Sequence, residues 1–152
     1  MANRLRRVLV VDDEGDIRTI VGLNLGLNGM EFGEAKDGGE AIDSLLNDEW
    51  DACVLDLSMP GADGFDVLRA LAESGKQDEI VVVVLSARGD PATAIDALNA
   101  GAHAHLTKPF SPGAVAHLVQ ELVELGPEER ASRREEMKQR ATTLDRLGVE
   151  KV

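Results

Sequence analysis

Side chains able to bind a cation or a phosphoryl group follow short apolar runs at several points of the sequence. They are Asp12 and Asp13 after Val8–Val11, Asp56 after Ala52–Leu55, Ser86 after Ile80–Leu85, and Lys108 soon after His103–Leu106. Clustered carboxylates repel one another unless a cation lies among them, and oxygen ligands suit Mg²⁺. With Mg²⁺ and an ammonium group to neutralise a phosphoryl group, and a hydroxyl to hydrogen-bond it, a neighbouring carboxylate could attack as nucleophile.

The elements that must bring these side chains together follow from the apolar pattern. Short runs rich in β-branched residues predict five strands, at Val8–Val11, Met30–Ala35, Ala52–Leu55, Ile80–Leu85 and His103–Leu106. Helical spacing follows each run, with apolar faces at Ile17, Ile20, Val21 and Leu25; Ala41, Ile42, Leu45 and Leu46; Val67, Leu68 and Leu71; Ile95 and Leu98; and Val115, Leu118, Val119, Leu122 and Val123. Asp90-Pro91 and Ser111-Pro112 are typical helix starts. This alternation predicts a doubly wound α/β domain, a parallel sheet with helices on both faces.

In such sheets functional groups gather beyond the carboxyl ends of the strands. The residues at those ends closely resemble the receiver domain of response regulators, the CheY-like two-component signalling family. The matching stretches are Val10-Val11-Asp12-Asp13-Glu14, Leu55–Gly64, Leu85-Ser86-Ala87 and Lys108-Pro109-Phe110. The resemblance covers roughly residues 6–125 and implies a flavodoxin-like sheet with strand order 2-1-3-4-5.

The resemblance also implies a role for each matching residue. Asp56 would be the phosphoacceptor, Asp13 a direct Mg²⁺ ligand, Asp12 a ligand acting mostly through metal-bound water, and Ser58 a ligand through its backbone carbonyl; Ser86 and Lys108 would bind the phosphoryl group, and Lys108-Pro109 would be a cis peptide. The phosphoryl donor would be a phosphohistidine on a histidine kinase or a histidine phosphotransfer protein. The domain would assist its own phosphorylation and dephosphorylation without being an enzyme.

Two departures from the family pattern bear on the switch. The position three before Lys108, which is usually Tyr or Phe, is His105. An imidazole is smaller and can change charge near neutral pH, so either the aromatic switch is lost or it becomes pH-sensitive. The positions two beyond Asp56 and Ser86, which influence acyl-phosphate lifetime in the family, are Ser58 and Arg88. His103, His105 and His117 have no acidic or cysteine partners at metal-binding spacing.

Composition bounds the class of protein. Hydrophobic residues make up 43% of the 152 residues and charged residues 29%, which is typical of a globular domain. The net charge of −12 disfavours nucleic acid and anionic membrane as direct partners. A single cysteine, Cys53, permits no disulfide within the chain and suits a reducing cytosol. No run approaches a transmembrane length, and we expect a cytoplasmic protein.

Residues 127–152 form a separate, charged extension. Gly126-Pro127 interrupts the last receiver helix, and Glu128–Leu147 predicts a further helix with ion pairs Glu129–Arg133 and Glu136–Arg140. Its apolar stripe is thin, comprising Met137, Ala141, Leu144 and Leu147. This pattern fits a solvated extension or a helix that docks on a partner or pairs in a homodimer.

The leading hypothesis is a switch without an output domain of its own. Phosphorylation of Asp56 would change the surface formed by the fourth helix, fifth strand and fifth helix, which a downstream protein effector would bind. Three alternatives stay open: a receiver fragment of a longer regulator whose output domain is missing, a Mg²⁺-dependent phosphohydrolase with Asp12 as nucleophile and a second domain, and a scaffold receiver that is never phosphorylated.

Overall fold

The computed structural model describes residues 4–150 as alternating strands and helices around one parallel sheet. The strands are β1 (Arg7–Val11), β2 (Glu31–Ala35), β3 (Ala52–Asp56), β4 (Val81–Ser86) and β5 (Ala104–Thr107). The helices are α1 (Gly15–Leu27), α2 (Gly38–Asn47), α3 (Gly64–Ser74), α4 (Pro91–Asn99), α5 (Pro112–Glu124) and α6 (Pro127–Arg146). The strand order is β2-β1-β3-β4-β5, which confirms the predicted doubly wound, flavodoxin-like sheet.

The register of the sheet brings the ends of β1, β3 and β4 to one edge. Val11 pairs with Leu55, and Asp56 pairs with Leu85. The residues that follow Val11 and Leu85 therefore lie at the level of Asp56 or just beyond it. This register is what gathers Asp12, Asp56 and Ser86, which lie far apart in the chain.

Two apolar cores cover the two faces of the sheet. One packs α2 and α3 against alternate residues of the central strands, including Leu9, Leu55 and Val84. The other packs α1 and α5 against the intervening residues, including Val10 and Val83. Because β1, β3 and β4 are apolar on both faces, each must be covered twice, as is usual in parallel sheets.

The predicted strand and helix boundaries agree with the structure to within a residue or two. The prediction that β5 begins at His103 is wrong by one position, since the strand begins at Ala104. His103 is instead held before the strand, where its Nδ1 accepts a hydrogen bond from the Val82 backbone N–H at 3.1 Å. Asp90 and Ser111 cap α4 and α5 with a proline at the start of each helix, as predicted.

Several apolar residues that the helical pattern placed with the buried faces are only partly buried or exposed, among them Ile20 and Ile95. Ile20 on α1 is 45% exposed, and it shares a face with Leu23 and Leu27, which are 60% and 83% exposed. Ile95 on α4 is only half-buried, because α4 turns Ala94, Ala97 and Leu98 inward and leaves Ile95 at a crevice shared with α6. The pattern of a helix shows which residues are apolar but not how the helix is rotated.

The extension forms a single helix, α6, as predicted, but its contacts differ from those expected. Neither Glu129–Arg133 nor Glu136–Arg140 is among the ion pairs of residues 4–150, and Arg133 instead binds Glu121 of α5 at 2.9 Å. Leu147, a member of the predicted stripe, is 71% exposed. Ala141 is 1% exposed, because α6 packs against α4 of its own chain. The extension is therefore docked intramolecularly rather than solvated.

Candidate functional site

Three carboxylates meet at the carboxyl edge of the sheet. Carboxylate oxygens of Asp12, Asp13 and Asp56 lie within 4.8 Å of one another. Asp12 and Asp56 are buried, whereas Asp13 is exposed. The Asp12 side chain accepts a hydrogen bond from the Glu14 backbone N–H at 2.9 Å, which fixes the turn into α1. The sequence-predicted acids therefore form one cluster with an open side at Asp13.

Lys108 reaches into this cluster from the loop after β5. Its Nζ lies 3.0 Å from Asp12 Oδ2 and 3.5 Å from Asp56 Oδ2. Its backbone N–H donates to the Ser86 carbonyl at 2.7 Å, which ties the loop to the end of β4. The Lys108-Pro109 peptide is cis, as the resemblance implied. Lys108 is thus held in place by the contacts of its ammonium group and by its backbone hydrogen bond.

Ser86 lies at the end of β4, beside the paired Asp56 and Leu85. Its side chain is 1% exposed, and its Oγ accepts a hydrogen bond from the Arg88 backbone N–H at 3.0 Å. The Arg88 side chain turns outward to Asp90, with Nε 3.2 Å from Oδ1. Ser86 therefore connects the cluster to the loop that leads into α4.

The loop after Asp56 is held close to the strand. The Ser58 backbone N–H donates to Asp56 Oδ1 at 3.1 Å, and Gly64 N–H donates to the Leu57 carbonyl at 3.1 Å. A Cβ on Gly64 would lie 2.8 Å from the Asp56 carbonyl oxygen and 2.7 Å from Leu57 Cα, so only glycine fits without moving the backbone. A cleft of about 490 Å³ opens between this loop and α4, and its lining includes Ser58, Ser86 and Arg88.

The ionisation of the central groups follows from burial and neighbouring charge. Burial, together with the charge of Asp12, raises the pKa of Asp56 to about 6, against the opposing effects of the Ser58 N–H and Lys108. Burial alone would lower the pKa of Lys108, but the hydrogen bond to Asp12 and the charges of both aspartates raise it above its ordinary value. Lys108 is therefore cationic at neutral pH.

The donor set fits a divalent cation. Three carboxylates against one ammonium leave two negative charges in excess among Asp12, Asp13, Asp56 and Lys108. All three acidic residues offer oxygen atoms, the ligands that Mg²⁺ prefers. The exposed Asp13 leaves the cluster accessible to solvent, so an ion could enter without disrupting the fold.

Arg18 is a residue of this site that the sequence reasoning missed. Its Nη1 donates to the Asp12 carbonyl at 2.8 Å, and its Nε pairs with Glu34 of β2 at 3.0 Å. Arg18 therefore holds the β1–α1 loop in place without touching the carboxylates. Its position one helical turn after Glu14 was the available signal, because side chains in the first turn of a helix face the preceding loop.

His105, the expected switch residue, lies on β5 away from the acidic cluster. It lines a cavity with Ala94 and Leu98 of α4 and Met137 of α6. Burial lowers the pKa of its imidazole despite the opposing effects of Asp90 and the Arg88 backbone. The ring is therefore neutral at neutral pH in this conformation. A switch driven by its protonation stays a prediction.

Comparison with known proteins assigns the class to which this fold and site belong. The family model of the response regulator receiver domain matches residues 8–120. The chain is 41% identical over 105 residues to "Response regulator MprA" of Mycolicibacterium vanbaalenii, an alignment covering 69% of this chain and 45% of that protein. The chain belongs to the response regulator receiver domain family, the signalling domains of two-component systems.

Solved structures agree with this assignment. The Francisella response regulator 1452 receiver domain is 31% identical with a TM-score of 0.74, covering 78% of this chain and 97% of that one. Chemotaxis protein CheY4 of Vibrio cholerae is 28% identical with a TM-score of 0.71, covering 78% and 98%. The chain spans about half the length of the curated relatives it matches. Among residues 4–150, no helix is both long and apolar enough to cross a membrane.

Proposed function

We propose that this receiver is a Mg²⁺-dependent phosphorylation switch with Asp56 as phosphoacceptor. The observation that carries the proposal is the convergence of Asp12, Asp13, Asp56 and Lys108 at the end of the sheet. Asp56 is the carboxylate at the end of the central strand β3, between the other acids and Ser86. A carboxylate oxygen would attack phosphorus, the bond from phosphorus to the donor would break, and an acyl phosphate would form on Asp56.

The residues around Asp56 have distinct parts in this reaction. Lys108 would balance charge on the incoming phosphoryl group and keep it near β5. The Ser86 hydroxyl would donate a hydrogen bond to a phosphoryl oxygen, and its Oγ can accept from the Arg88 N–H at the same time. Ser58 would hold the Asp56 carboxylate in a fixed orientation through its N–H.

Asp12, Asp13, Asp56 and the Ser58 carbonyl would hold Mg²⁺. The ion would supply positive charge that favours ionised Asp56 and offsets repulsion between carboxylate and phosphate. Burial and the charge of Asp12 raise the pKa of Asp56 to about 6, so positive charge beside this carboxylate would favour its ionised, nucleophilic form. The same charge would ease the approach of an anionic donor.

A phosphohistidine on a kinase or a phosphotransfer protein is the donor we infer. An exposed apolar face of α1, formed by Ile20, Leu23 and Leu27, supports a protein donor. Ile20 also lines a crevice with Lys108 and Phe110, so this face continues to the loop that carries the site's ammonium group. A partner packed on the face would bring its phosphohistidine to the open side of the cluster. Cleavage of its P–N bond would leave the imidazole as leaving group.

The output is inferred to be a protein contact made by this receiver or by a longer regulator that contains it. The alignment covers only 45% of the curated relative, which supports a longer regulator that contains a receiver of this kind. A downstream effector would bind a surface that changes on phosphorylation. The chain itself would bind neither nucleic acid nor membrane, which its net charge of −12 supports. A cytoplasmic location and a possible homodimer belong to the same proposal.

Intact mass after incubation with acetyl phosphate and Mg²⁺ tests the proposal. We expect one added phosphoryl group that is labile to hydroxylamine, because an acyl phosphate is readily attacked by nucleophiles. Asp56→Asn should abolish the addition, whereas Asp43→Asn, at an exposed position on α2, should leave it unchanged. Asp12→Asn should slow it by weakening cation binding.

The same experiment distinguishes the two alternatives at this site. Label that survives in Asp56→Asn and disappears in Asp12→Asn would support the Asp-nucleophile phosphohydrolase instead. No label on the wild-type protein at any Mg²⁺ concentration would support the scaffold receiver. Membership of the receiver family and the intact set of acids and Lys108 favour the switch over both.

A further inference from the structure

Helix α6 lies across the face formed by α4 and β5. Its inward positions are Arg130, Arg134, Met137, Ala141 and Leu144, spaced four, three, four and three residues apart. This is the spacing of a helix that packs along another helix. Ala141 is fully buried, and α4 is the element that α6 contacts most extensively.

Two arginines clamp the first half of α6 to the receiver. Arg134 donates to the Ala102 and Gly101 carbonyls at 3.1 Å each, beyond the end of α4. Arg130 donates to the Leu122 and Val123 carbonyls at 2.9 and 3.1 Å, at the end of α5. These carbonyls belong to the last turns of helices or follow them, where partners for backbone oxygens are lacking and positive charge is favourable. The clamps therefore stabilise the docked position specifically.

The second half of α6 is packed less closely. A cavity of about 230 Å³ remains between the elements, lined by Ala94 and Leu98 of α4, His105 of β5, and Met137, Arg140 and Ala141 of α6. His105 Nε2 is buried with no hydrogen-bond partner among the described residues. An unpaired buried polar atom and an unfilled cavity both reduce the stability of the docked state. The interface is held at one end and loose at the other.

Helix α6 depends on its contacts with the receiver face to stay ordered. Helices of this length are marginal in water when isolated, because nucleation is costly. With neither predicted i,i+4 pair formed, the order of α6 rests on docking. Ala94 and Leu98 are 3% and 2% exposed and line the cavity beneath α6, so a second protein cannot reach them there while α6 is docked.

The covered face is connected to the acidic cluster. Ser86 Oγ accepts from Arg88 N–H in the β4–α4 loop. Asp90 in the same loop caps α4 through Thr93 N–H at 3.0 Å, and α4 carries α6. A phosphoryl group that accepts a hydrogen bond from the Ser86 O–H would draw this side chain toward Asp56. Because Ser86 Oγ also accepts from the Arg88 N–H, the start of the loop and then the first turn of α4 would move with it.

We propose that α6 is a releasable intramolecular cover of the α4–β5 face, docked in the unphosphorylated chain and released when Asp56 is modified. The proposal rests on the proposed function for its trigger. Release exposes an apolar surface at Ala94, Leu98 and His105. This surface fits an amphipathic helix of a partner protein, because α6, which covers it, is a helix of the same kind. The cover keeps this surface from binding a partner before the signal arrives.

Hydrogen–deuterium exchange on the full chain tests the cover, with beryllofluoride and Mg²⁺ as the phosphoryl mimic. Backbone amides of residues 131–146 should be protected in the unmodified chain. The mimic should raise their exchange rates about tenfold or more, because undocked α6 frays. Residues 8–11 of β1 should stay protected in both states as an internal reference.

Matched variants separate docking from helix content. Arg134→Ala should speed exchange in α6 without the mimic, whereas Arg133→Ala, next to it and paired only with the Glu121 side chain, should have little effect. Ala141→Arg should undock the helix, whereas Ala131→Arg, exposed on the same helix, should not. By reciprocal linkage the undocked variants should bind the mimic roughly 5-fold or more tightly than wild type.

Three results would overturn the cover, and each identifies what failed. If wild type takes a phosphoryl group on Asp56 but α6 exchange is the same with and without the mimic, the cover is wrong and the switch stands. If α6 already exchanges freely in the unmodified chain, the helix is not docked and the cover is wrong for any trigger. If neither acetyl phosphate nor the mimic acts on the chain, the proposed function fails and the trigger fails with it.

Discussion

The acidic edge of the sheet and the α6-covered face are two regions built on opposite principles. At the edge, the Asp12 and Asp56 carboxylates are held by short contacts from Lys108 and Ser58, which lie in the loops after β5 and β3. Arg18 of α1 holds the Asp12 backbone carbonyl. On the covered face, the contacts are arginine side chains on backbone carbonyls and small apolar residues beside a cavity. The first region tolerates little substitution of residue type. The second depends on shape and position along a helix.

This difference predicts where a substitution will act. A change at the edge should remove chemistry while leaving the packing of α6 intact. A change on the covered face should alter the position of α6 and, by linkage, the affinity for the phosphoryl mimic, while the groups that carry out phosphorylation stay in place.

Lys108→Ala should remove the conformational response to phosphorylation almost completely. The variant should still be labelled by acetyl phosphate, more slowly, because Asp56 and the metal-binding acids remain. Without the ammonium group the phosphoryl group has no link to the β5 loop. Amide exchange in α4 and β5 measures the response, and changes equal to those of wild type would contradict this role for Lys108.

Asp13→Asn should weaken Mg²⁺ binding by about 10–100-fold, the scale seen when a group supporting a metal site is removed. Asp13 is exposed, so the free energy of unfolding should hardly change. The Mg²⁺ concentration at half-maximal labelling is the measurement. Glu136→Gln on the exposed side of α6 is the control, and a similar shift in both variants would indicate a general charge effect rather than a ligand.

Gly64→Ala should lower the free energy of unfolding by about 1–3 kcal/mol and slow labelling, since the new Cβ would meet backbone atoms of Asp56 and Leu57. Gly126→Ala, at the start of α6, should change stability by less than about 0.5 kcal/mol, because no atom lies within 4 Å of its added Cβ. Denaturant unfolding of the two variants makes the comparison. Equal destabilisation would mean that the loop after β3 adjusts more freely than its packing indicates.

His103 should make stability fall as the pH drops below about 6.5. Burial, and then the charges of Arg134 and Arg130, lower its pKa to about 3 in the folded chain. Between about pH 6.5 and 3 the unfolded chain binds a proton that the folded chain does not, so stability is complete above this window and is lost as pH falls through it, by at most about 1.4 kcal/mol per pH unit.

Unfolding measured from pH 7 to 5.5 in wild type and His103→Gln tests this prediction, since most carboxylates stay ionised in that range. The variant should show a flatter dependence, although it will be less stable because it loses the contact with the Val82 N–H. His117→Gln, at an exposed position on α5, is the matched control variant. A slope unchanged by His103→Gln would assign the proton uptake to another group.

His105 should give the smallest signal. If phosphorylation moves this ring or the helix that covers it, its NMR titration should shift on binding of the beryllofluoride mimic, because protonation and the modified state are then linked. The chemical shifts of the exposed His117 should hardly change. Superimposable His105 titration curves in the two states would exclude a pH-sensitive switch at this position.

The sequence determined most of the acidic edge. Alternating apolar runs and helical spacing predicted five parallel strands, and the family resemblance implied their order in the sheet. The carboxyl ends of parallel strands must share an edge, so Asp12, Asp56 and Lys108 were expected together. The cis peptide at Lys108-Pro109 was implied by resemblance and is present. This part was predictable because each side chain directly follows a strand, and strand ends are fixed by local pattern.

Only the tertiary structure decided where α6 lies. Its apolar stripe was visible in the sequence, but Leu147 is 71% exposed, and Arg133, predicted to pair with Glu129, binds Glu121 instead. Nothing in the sequence indicated that Arg134 would bind the carbonyls of Ala102 and Gly101. Carbonyls at the ends of α4 and α5 become binding sites for arginine only once those helices have ended next to α6. A local pattern records which residues can pack or donate, whereas the partner that they meet is set by the folded chain.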